Sequence, residues 1–383
     1  MSLRHDISIS RRPFAGMVAI GAVWGTFSAV IPAMKAQIGA SDAMFGALML
    51  AASFGAVMAM WLAPLTRRWF GYVALLIASL TMASGFAIVS FAPGVLWFAI
   101  AMFIAASGTG VADVLVNAEI SDSEAGTGRA LMNLNHAVYS FSFAGCAVLS
   151  GLARDAGASN IAILTSVAAF VLALGGAMWV SPRYHATETP SENRSGMPVV
   201  LVMLGGGIAL TAFLTESAAE GWSALHLERS FSADPTQSAL GPALFGVMMG
   251  LGRLSGHWLA RLMPDIQLIG LAMAVSAIGF VVAGLAPTLW LAWLGFSFAG
   301  LGVSVVVPLA FALVGRSVPP EHRLNAMSRA AAMGYGAFFV GPPAMGVIAQ
   351  YYGLSVAFCV LALLLVSVAL AILPALTRQT RAG

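Results

Sequence analysis

The chain is 383 residues long, 60% hydrophobic and 9% charged, with a formal net charge of +3. A soluble domain carries about 25% charged residues, so the composition excludes a soluble enzyme or binding module. The material left over from apolar segments is too short for a separate extramembrane domain.

Twelve apolar stretches of roughly twenty residues follow one another, each long enough to cross a bilayer core of about 30 Å. They run over residues 14–34, 43–63, 72–91, 95–117, 130–152, 161–181, 198–219, 240–260, 266–286, 289–313, 324–346 and 354–374. Continuous apolar runs, rather than alternation with a period of two, select helices over a β-barrel. The fold class expected is an all-α membrane protein, twelve transmembrane helices in two six-helix bundles. The boundaries expected are 1–181 for the first bundle, 182–197 for a polar cytoplasmic linker, and 198–383 for the second. Cys146 and Cys359 sit inside apolar stretches and read as small packing residues, not a disulfide. The 41 glycines fit close helix packing in lipid.

Basic residues fix a topology. If the N-terminus is cytoplasmic, 15 of the 18 Lys and Arg residues fall on that side, and Lys35, Arg154 and Arg229 on the other. This is a positive-inside bias, and it places both termini in the cytoplasm. The positive charge therefore reports orientation, and no nucleic-acid partner is expected. Arg11 and Arg12 precede the first span as they would in a signal peptide, but eleven further spans argue for an uncleaved first helix.

The halves echo each other. Phe45-Gly46 and Trp61-Leu62-Ala63 in the second span match Phe245-Gly246 and Trp258-Leu259-Ala260 in the eighth. Asn133, Tyr139 and Gly145 in the fifth span have the spacing of Arg329, Tyr335 and Gly341 in the eleventh. Repeated halves of this kind frame a site near the bilayer midplane.

A charge at the centre of a membrane helix costs about 2.5–3.5 kcal/mol on insertion scales, so each intramembrane ionisable residue is a candidate. In the fourth span Asp113 and Asn117 are four apart and share a helix face, with Gly108, Gly110 and Ala112 leaving room for a ligand or a neighbouring helix. A structural hydrogen bond is the plainer alternative. The fifth span offers Asn133, His136 and Tyr139. At comparable depth on antiparallel neighbours, Asp113 and His136 are expected to meet and exchange a proton. In the seventh span Glu216 is the deeper of an i, i+4 pair and is expected in the cavity; Glu220 is expected to face outer water. Arg253 and Arg329 lie toward the inner side, where either can anchor an anion or close an inner gate by pairing with a carboxylate, with Arg253 and Arg261 as the gating candidates and Arg329 as a substrate-binding one. Trp24 is placed to stack on a substrate ring or to pack, and Tyr335 is the repeat counterpart of Tyr139.

With two halves of six spans, the chain resembles the major facilitator superfamily along essentially its whole length. That family carries a Gly-x-x-x-Asp-Arg type signature after its second and eighth spans. Here the copies read Ala-Pro-Leu-Thr-Arg-Arg-Trp-Phe-Gly at 63–71 and Gly-His-Trp-Leu-Ala-Arg at 256–261, both without the Asp. The Asp113-x-x-x-Asn117 pair is similar to the acidic-x-x-x-Asn motif of fucose permease-like proton symporters. The stretches 131–145 and 220–225 are similar to a related bacterial branch. The resemblance implies that Asp113 is a coupling carboxylate and Asn117 a sugar-binding amide. It also implies a monomer in the inner membrane of a bacterium, with a small-molecule substrate, protons and the bilayer as its partners. The chain departs from those permeases in having no acidic residue between Phe14 and Met34.

These residues bear on three function classes. Proton-coupled uptake of a small polar, sugar-like solute leads. A drug or metabolite–proton antiporter is the alternative, although the fifth span reads Gly145-Cys146-Ala147-Val148-Leu149-Ser150-Gly151, without the proline of the exporters. For an enzyme or sensor there is no phosphate loop, metal spacing or nucleophile triad, and no cofactor or metal is expected.

Overall fold

A computed structural model of the chain describes residues 3–179, 199–259, 262–318 and 320–382. The expected linker at 182–197, with Arg183 and Arg194, lies outside the described residues, as does Arg261. Among the described residues the secondary structure is helical, with no strand. In the first half α1 (Leu3–Ile9) leads into α2 (Arg11–Gln37), α3 (Asp42–Phe70), α4 (Ala74–Val89), α5 (Val95–Thr127), α6 (Met132–Asp155) and α7 (Asn160–Met178). In the second half α8 (Val199–Phe231), α9 (Pro235–Leu259) and α10 (Asp265–Leu285) are followed by α11 (Leu289–Val303) and α12 (Val306–Arg316). The chain continues with α13 (Pro320–Tyr335), α14 (Ala337–Tyr352) and α15 (Leu354–Ala382).

Eleven helices of the described residues are long and apolar enough to cross a membrane. The eighth expected span is present as α9, a helix of 25 residues that carries Arg253. The tenth span is split into α11 and α12, and the eleventh into α13 and α14. Pro308 accounts for the first break, since it cannot donate to the carbonyl four residues back. Gly334 and Gly336 flank the second. Ends are marked by local chemistry. Ser41 Oγ accepts from Met44 N at 3.2 Å to cap α3. Asp234 and Gln237 cap α9 reciprocally, each side chain accepting from the other's backbone N–H.

Helices α2–α7 pack among themselves, as do α8–α15. The outer surface is lipid-facing: Leu96, Leu363 and Leu370 are 71%, 65% and 73% exposed. Exposed Trp69, Tyr72 and Trp179 gather toward the end that carries the termini, and Trp97, Trp290, Tyr351 and Tyr352 toward the far end, as aromatic belts do at the two membrane interfaces.

Without a hydrophobic force between helices in lipid, close backbone approach does the packing. A Cβ on Gly25 of α2 would lie 2.0 Å from the Phe143 carbonyl oxygen of α6. Across the halves, a Cβ on Gly46 of α3 would lie 2.3 Å from the Pro342 carbonyl oxygen of α14. The halves also meet through α6 on α9. At the far end Asp42 accepts from Arg229 at 2.6 and 2.8 Å and pairs with Lys35 at 3.0 Å. Arg154 reaches Glu228 at 2.9 Å, and Asp42 N donates to Gln350 Oε1 at 3.0 Å. These contacts between the halves run from mid-depth to the far end, which is closed. On the terminal side α13 packs on α8 and α12 of its own half.

The first-half copy of the signature has its own acid. Arg67 Nη1 donates to Glu119 Oε1 at 3.1 Å, and Arg12 Nε lies 3.0 Å from Glu119 Oε2. Glu119 of α5 thus supplies the carboxylate that the 63–71 segment lacks.

Gly25→Val is expected to cost about 1–3 kcal/mol, or more, through overpacking, read as a lower melting temperature in detergent. Asp42→Asn leaves Lys35 and Arg229 without their carboxylate. It is expected to raise labelling, by a membrane-impermeant maleimide, of a cysteine placed at Ser28, because the far end opens more often.

Candidate functional site

Polar side chains from five helices converge midway through the molecule. On α5, Asp113 and Asn117 lie on one face, both half-buried. The Asn117 amide nitrogen donates to the Asp113 carbonyl oxygen at 2.9 Å, and its oxygen lies 3.1 Å from His136 Nε2. With the amide nitrogen committed to a carbonyl, the amide oxygen is the acceptor and His136 Nε2 carries the proton.

His136 therefore meets Asn117, not Asp113, which corrects the expected Asp113–His136 pair. The reason is helix length. The fourth span was expected to end at residue 117, but α5 runs to Thr127 over 33 residues. Asn117, one turn further along, is the residue level with His136.

On α6 the next positions of the same face follow. Tyr139 Oη lies 3.5 Å from Glu220 Oε1, and Ser140 Oγ accepts from Arg253 Nη1 at 2.9 Å. The second arm of Arg253, on α9, reaches Glu216 Oε1 of α8 at 3.2 Å. Both side chains are largely enclosed, 13% and 16% exposed. Room for this crossing comes from Gly250, where a Cβ would lie 3.0 Å from the Phe141 ring and 3.2 Å from Ser140 Cβ. Arg253 thus ties α9 to α6 of the other half and to α8 of its own. Expected toward the inner side as an anion anchor or a gate paired with a carboxylate, it does pair with a carboxylate and is part of the central cluster.

Glu220 was expected to face water and is half-buried at the boundary between the halves. The seventh span was expected to end at 219, whereas α8 continues to Phe231. The i, i+4 spacing of Glu216 and Glu220 was the signal that could have found it; the assumed helix end hid it. Its backbone carbonyl accepts from Ser28 Oγ of α2.

The remaining candidates are placed differently. Trp24 Nε1 donates to Thr109 Oγ1 of α5 at 3.3 Å, and the ring packs edge-on against Phe27 and Phe86. Tyr335 stacks on Phe213 of α8 with centroids 5.5 Å apart, and Phe338 continues the stack. Asn133 lies in the first turn of α6, half-buried. Arg329 is exposed, and its Nε donates to Asn325 of its own helix at 3.1 Å. No group of three or more His, Cys, Asp or Glu placed to hold a metal occurs among the described residues.

The cluster combines three carboxylates, Asp113, Glu216 and Glu220, with one guanidinium, an amide, an imidazole and a tyrosine. It offers hydrogen-bond donors and acceptors for a polar solute and an acidic excess that protons or a cation would balance. A ring-shaped solute would find an aromatic wall in Phe213, Tyr335 and Phe338.

Comparison with known proteins fits this architecture. The family model described as Major Facilitator Superfamily matches residues 207–382. An uncharacterized MFS-type transporter of Yersinia pestis is 29% identical over 354 residues, covering 89% of this chain and 88% of that protein. The membrane protein MosC of Rhizobium meliloti is 25% identical, covering 87% and 82%. Among solved structures, a bacterial homolog of the human lysosomal transporter Spinster, inward-facing and occupied, superposes with a TM-score of 0.76 at 15% identity, covering 99% of this chain and 98% of that one. A D-xylose–proton symporter does so with a TM-score of 0.75 at 16% identity, covering 97% of each. At such identities these structures speak for the fold alone. Helical architecture, family model and relatives point the same way: the second half matches the Major Facilitator Superfamily model, and the chain is similar over most of its length to an MFS-type transporter.

Proposed function

We propose that the protein takes up a small polar, sugar-like solute together with protons, by alternating access between the bundles 1–181 and 198–383. The observation that carries this reading is Asp113, a half-buried carboxylate in the middle of a 33-residue membrane helix. Among the described residues it forms no ion pair. Asn117 beside it and the hydroxyl and imidazole groups of α6 supply the hydrogen bonds a polyol needs. A D-xylose–proton symporter has the same fold, which makes this chemistry compatible with the scaffold.

The orientation proposed puts both termini in the cytoplasm of a bacterial inner membrane, following the positive-inside bias. The closed far end is then the outer one, and the arrangement faces inward. A monomer contains the complete cluster. One proton moving down 100 mV supplies about 2.3 kcal/mol, enough for roughly 50-fold accumulation at about 1.4 kcal/mol per decade.

The excess of carboxylates over guanidinium favours a second reading, exchange of a cationic solute for protons. One screen separates the two. Purified protein is tested for thermal stabilisation by sugars, polyols, sugar acids and lipophilic amines. A ligand at 100 times its Kd adds about 2.7 kcal/mol. Stabilisation by a sugar or polyol that weakens at alkaline pH and is lost in Asn117→Ala is the expected result. Hits confined to amines would favour the exchanger.

With the solute so found, Asp113→Asn is expected to abolish accumulation driven by a pH gradient in proteoliposomes while solute exchange continues. Uphill accumulation intact in that variant would remove Asp113 from the coupling role.

A further inference from the structure

Glu216 and Glu220 stand one turn apart on α8, yet their surroundings differ. Glu216 has the Arg253 guanidinium at 3.2 Å. Glu220 has no cation of its own among the described residues, and both of its polar contacts lie across the boundary between the halves. Its carboxyl faces Tyr139 Oη at 3.5 Å, and its backbone carbonyl holds the hydroxyl of Ser28.

The charged and titratable neighbours are few. Glu216 faces it from its own helix, Tyr139 from α6 and Arg253 from α9, with Asp113 of α5 beyond Tyr139. Helix α2 presents the uncharged Ser28. On the other sides of α8, α12 brings Val314 against Gly205, α15 brings Ile372 against Gly207, and α13 and α14 bring Tyr335 and Phe338 against Phe213. His226, further along α8, is buried beside Phe296 of α11 and bonded to the Ala283 carbonyl. One guanidinium therefore serves two carboxylates, and one of its arms is spent on Ser140.

Two carboxylates on one helix face, with Cβ atoms about 5–6 Å apart, cannot both stay ionised in a poorly hydrated seam with a single cation. The proton stays on the member without the guanidinium. Protonated, Glu220 is neutral and shares a hydrogen bond with Tyr139, so the seam can close over it. Ionised, it is repelled by Glu216 and needs water, which reaches it when the halves part at the far end.

We infer that Glu220 is a second proton-carrying carboxyl beside Asp113, and that its proton permits the two bundles to close at the end opposite the termini. The proton comes from the aqueous phase at that end and forms the O–H bond of the acid; no other bond changes. The inference rests on the proton-coupled reading above, and its test needs no substrate.

Spin labels at Phe91→Cys and Thr288→Cys, exposed far-end positions on the two halves, are placed in a Cys146→Ala, Cys359→Ala background. Label–label distances are measured in nanodiscs from acid to alkaline pH. The expected result is a short distance at acid pH that gives way to a longer one as pH rises. Glu220→Gln should hold the short distance at every pH, and Glu220→Asp should restore a titration with a shifted midpoint. A Glu220→Gln variant that keeps the wild-type pH dependence while Asp113→Asn loses it would overturn the inference and leave Asp113 as the sole coupling group. Wild-type distances that ignore pH would overturn it too, whatever Asp113→Asn does to accumulation.

Discussion

A charge inside a membrane protein has to be answered within the protein, and the structure turns on how Arg253 is answered. Its guanidinium lies between Glu216 of its own half and Ser140 of the other. In hydrocarbon neither partner can be replaced by water, and removing one member of such a buried pair costs about 3–5 kcal/mol. The two contacts fix the approach of α9 to α8 and to α6, and the pair sets the charge balance of the cluster. Every other ionisable group there is then read against a cation already engaged.

Close packing makes this geometry possible. Gly21 and Gly25 let α2 lie against the α6 backbone at Tyr139 and Phe143. Gly46 brings α3 onto α14 at the far end. There the Asp42, Lys35 and Arg229 cluster adds charge pairing to a contact made by backbone. Backbone contacts that need glycine are all-or-none, whereas side-chain ion pairs can exchange partners with water. A far end built from both can close firmly and still reopen. On the terminal side, Glu119 holds Arg12 and Arg67 within one half, so that end is braced without being tied to the other half.

Several site residues were legible because membrane helices leave few polar side chains unexplained. Asp113, Asn117, His136, Tyr139 and Glu216 were singled out by the cost of placing them in lipid, and the fold brings their helices together. Glu220 and the partner of His136 were not legible, and for one reason: helix ends. Hydropathy marks where a chain enters hydrocarbon, but α5 and α8, each 33 residues long, continue beyond that limit to Thr127 and Phe231. A few residues of error in the end moved Glu220 from the centre to the surface and aligned His136 with the wrong residue. Arg329 shows the converse. The internal repeat paired it with Asn133, yet its hydrogen bond stays on its own helix, because repeats preserve backbone positions more strictly than side-chain destinations.

The sequence by itself determined the membrane class, the all-helical fold and the intramembrane residues that call for an account. These follow from local quantities: the length of apolar runs, the spacing of residues on a helix face and the burial cost of charge. The tertiary structure alone decided which carboxylate receives the guanidinium, which residue faces His136, and which end of the molecule is closed. Those depend on how far helices slide and tilt against partners distant in sequence, and that register is set by packing between backbones, not by the composition of any one segment.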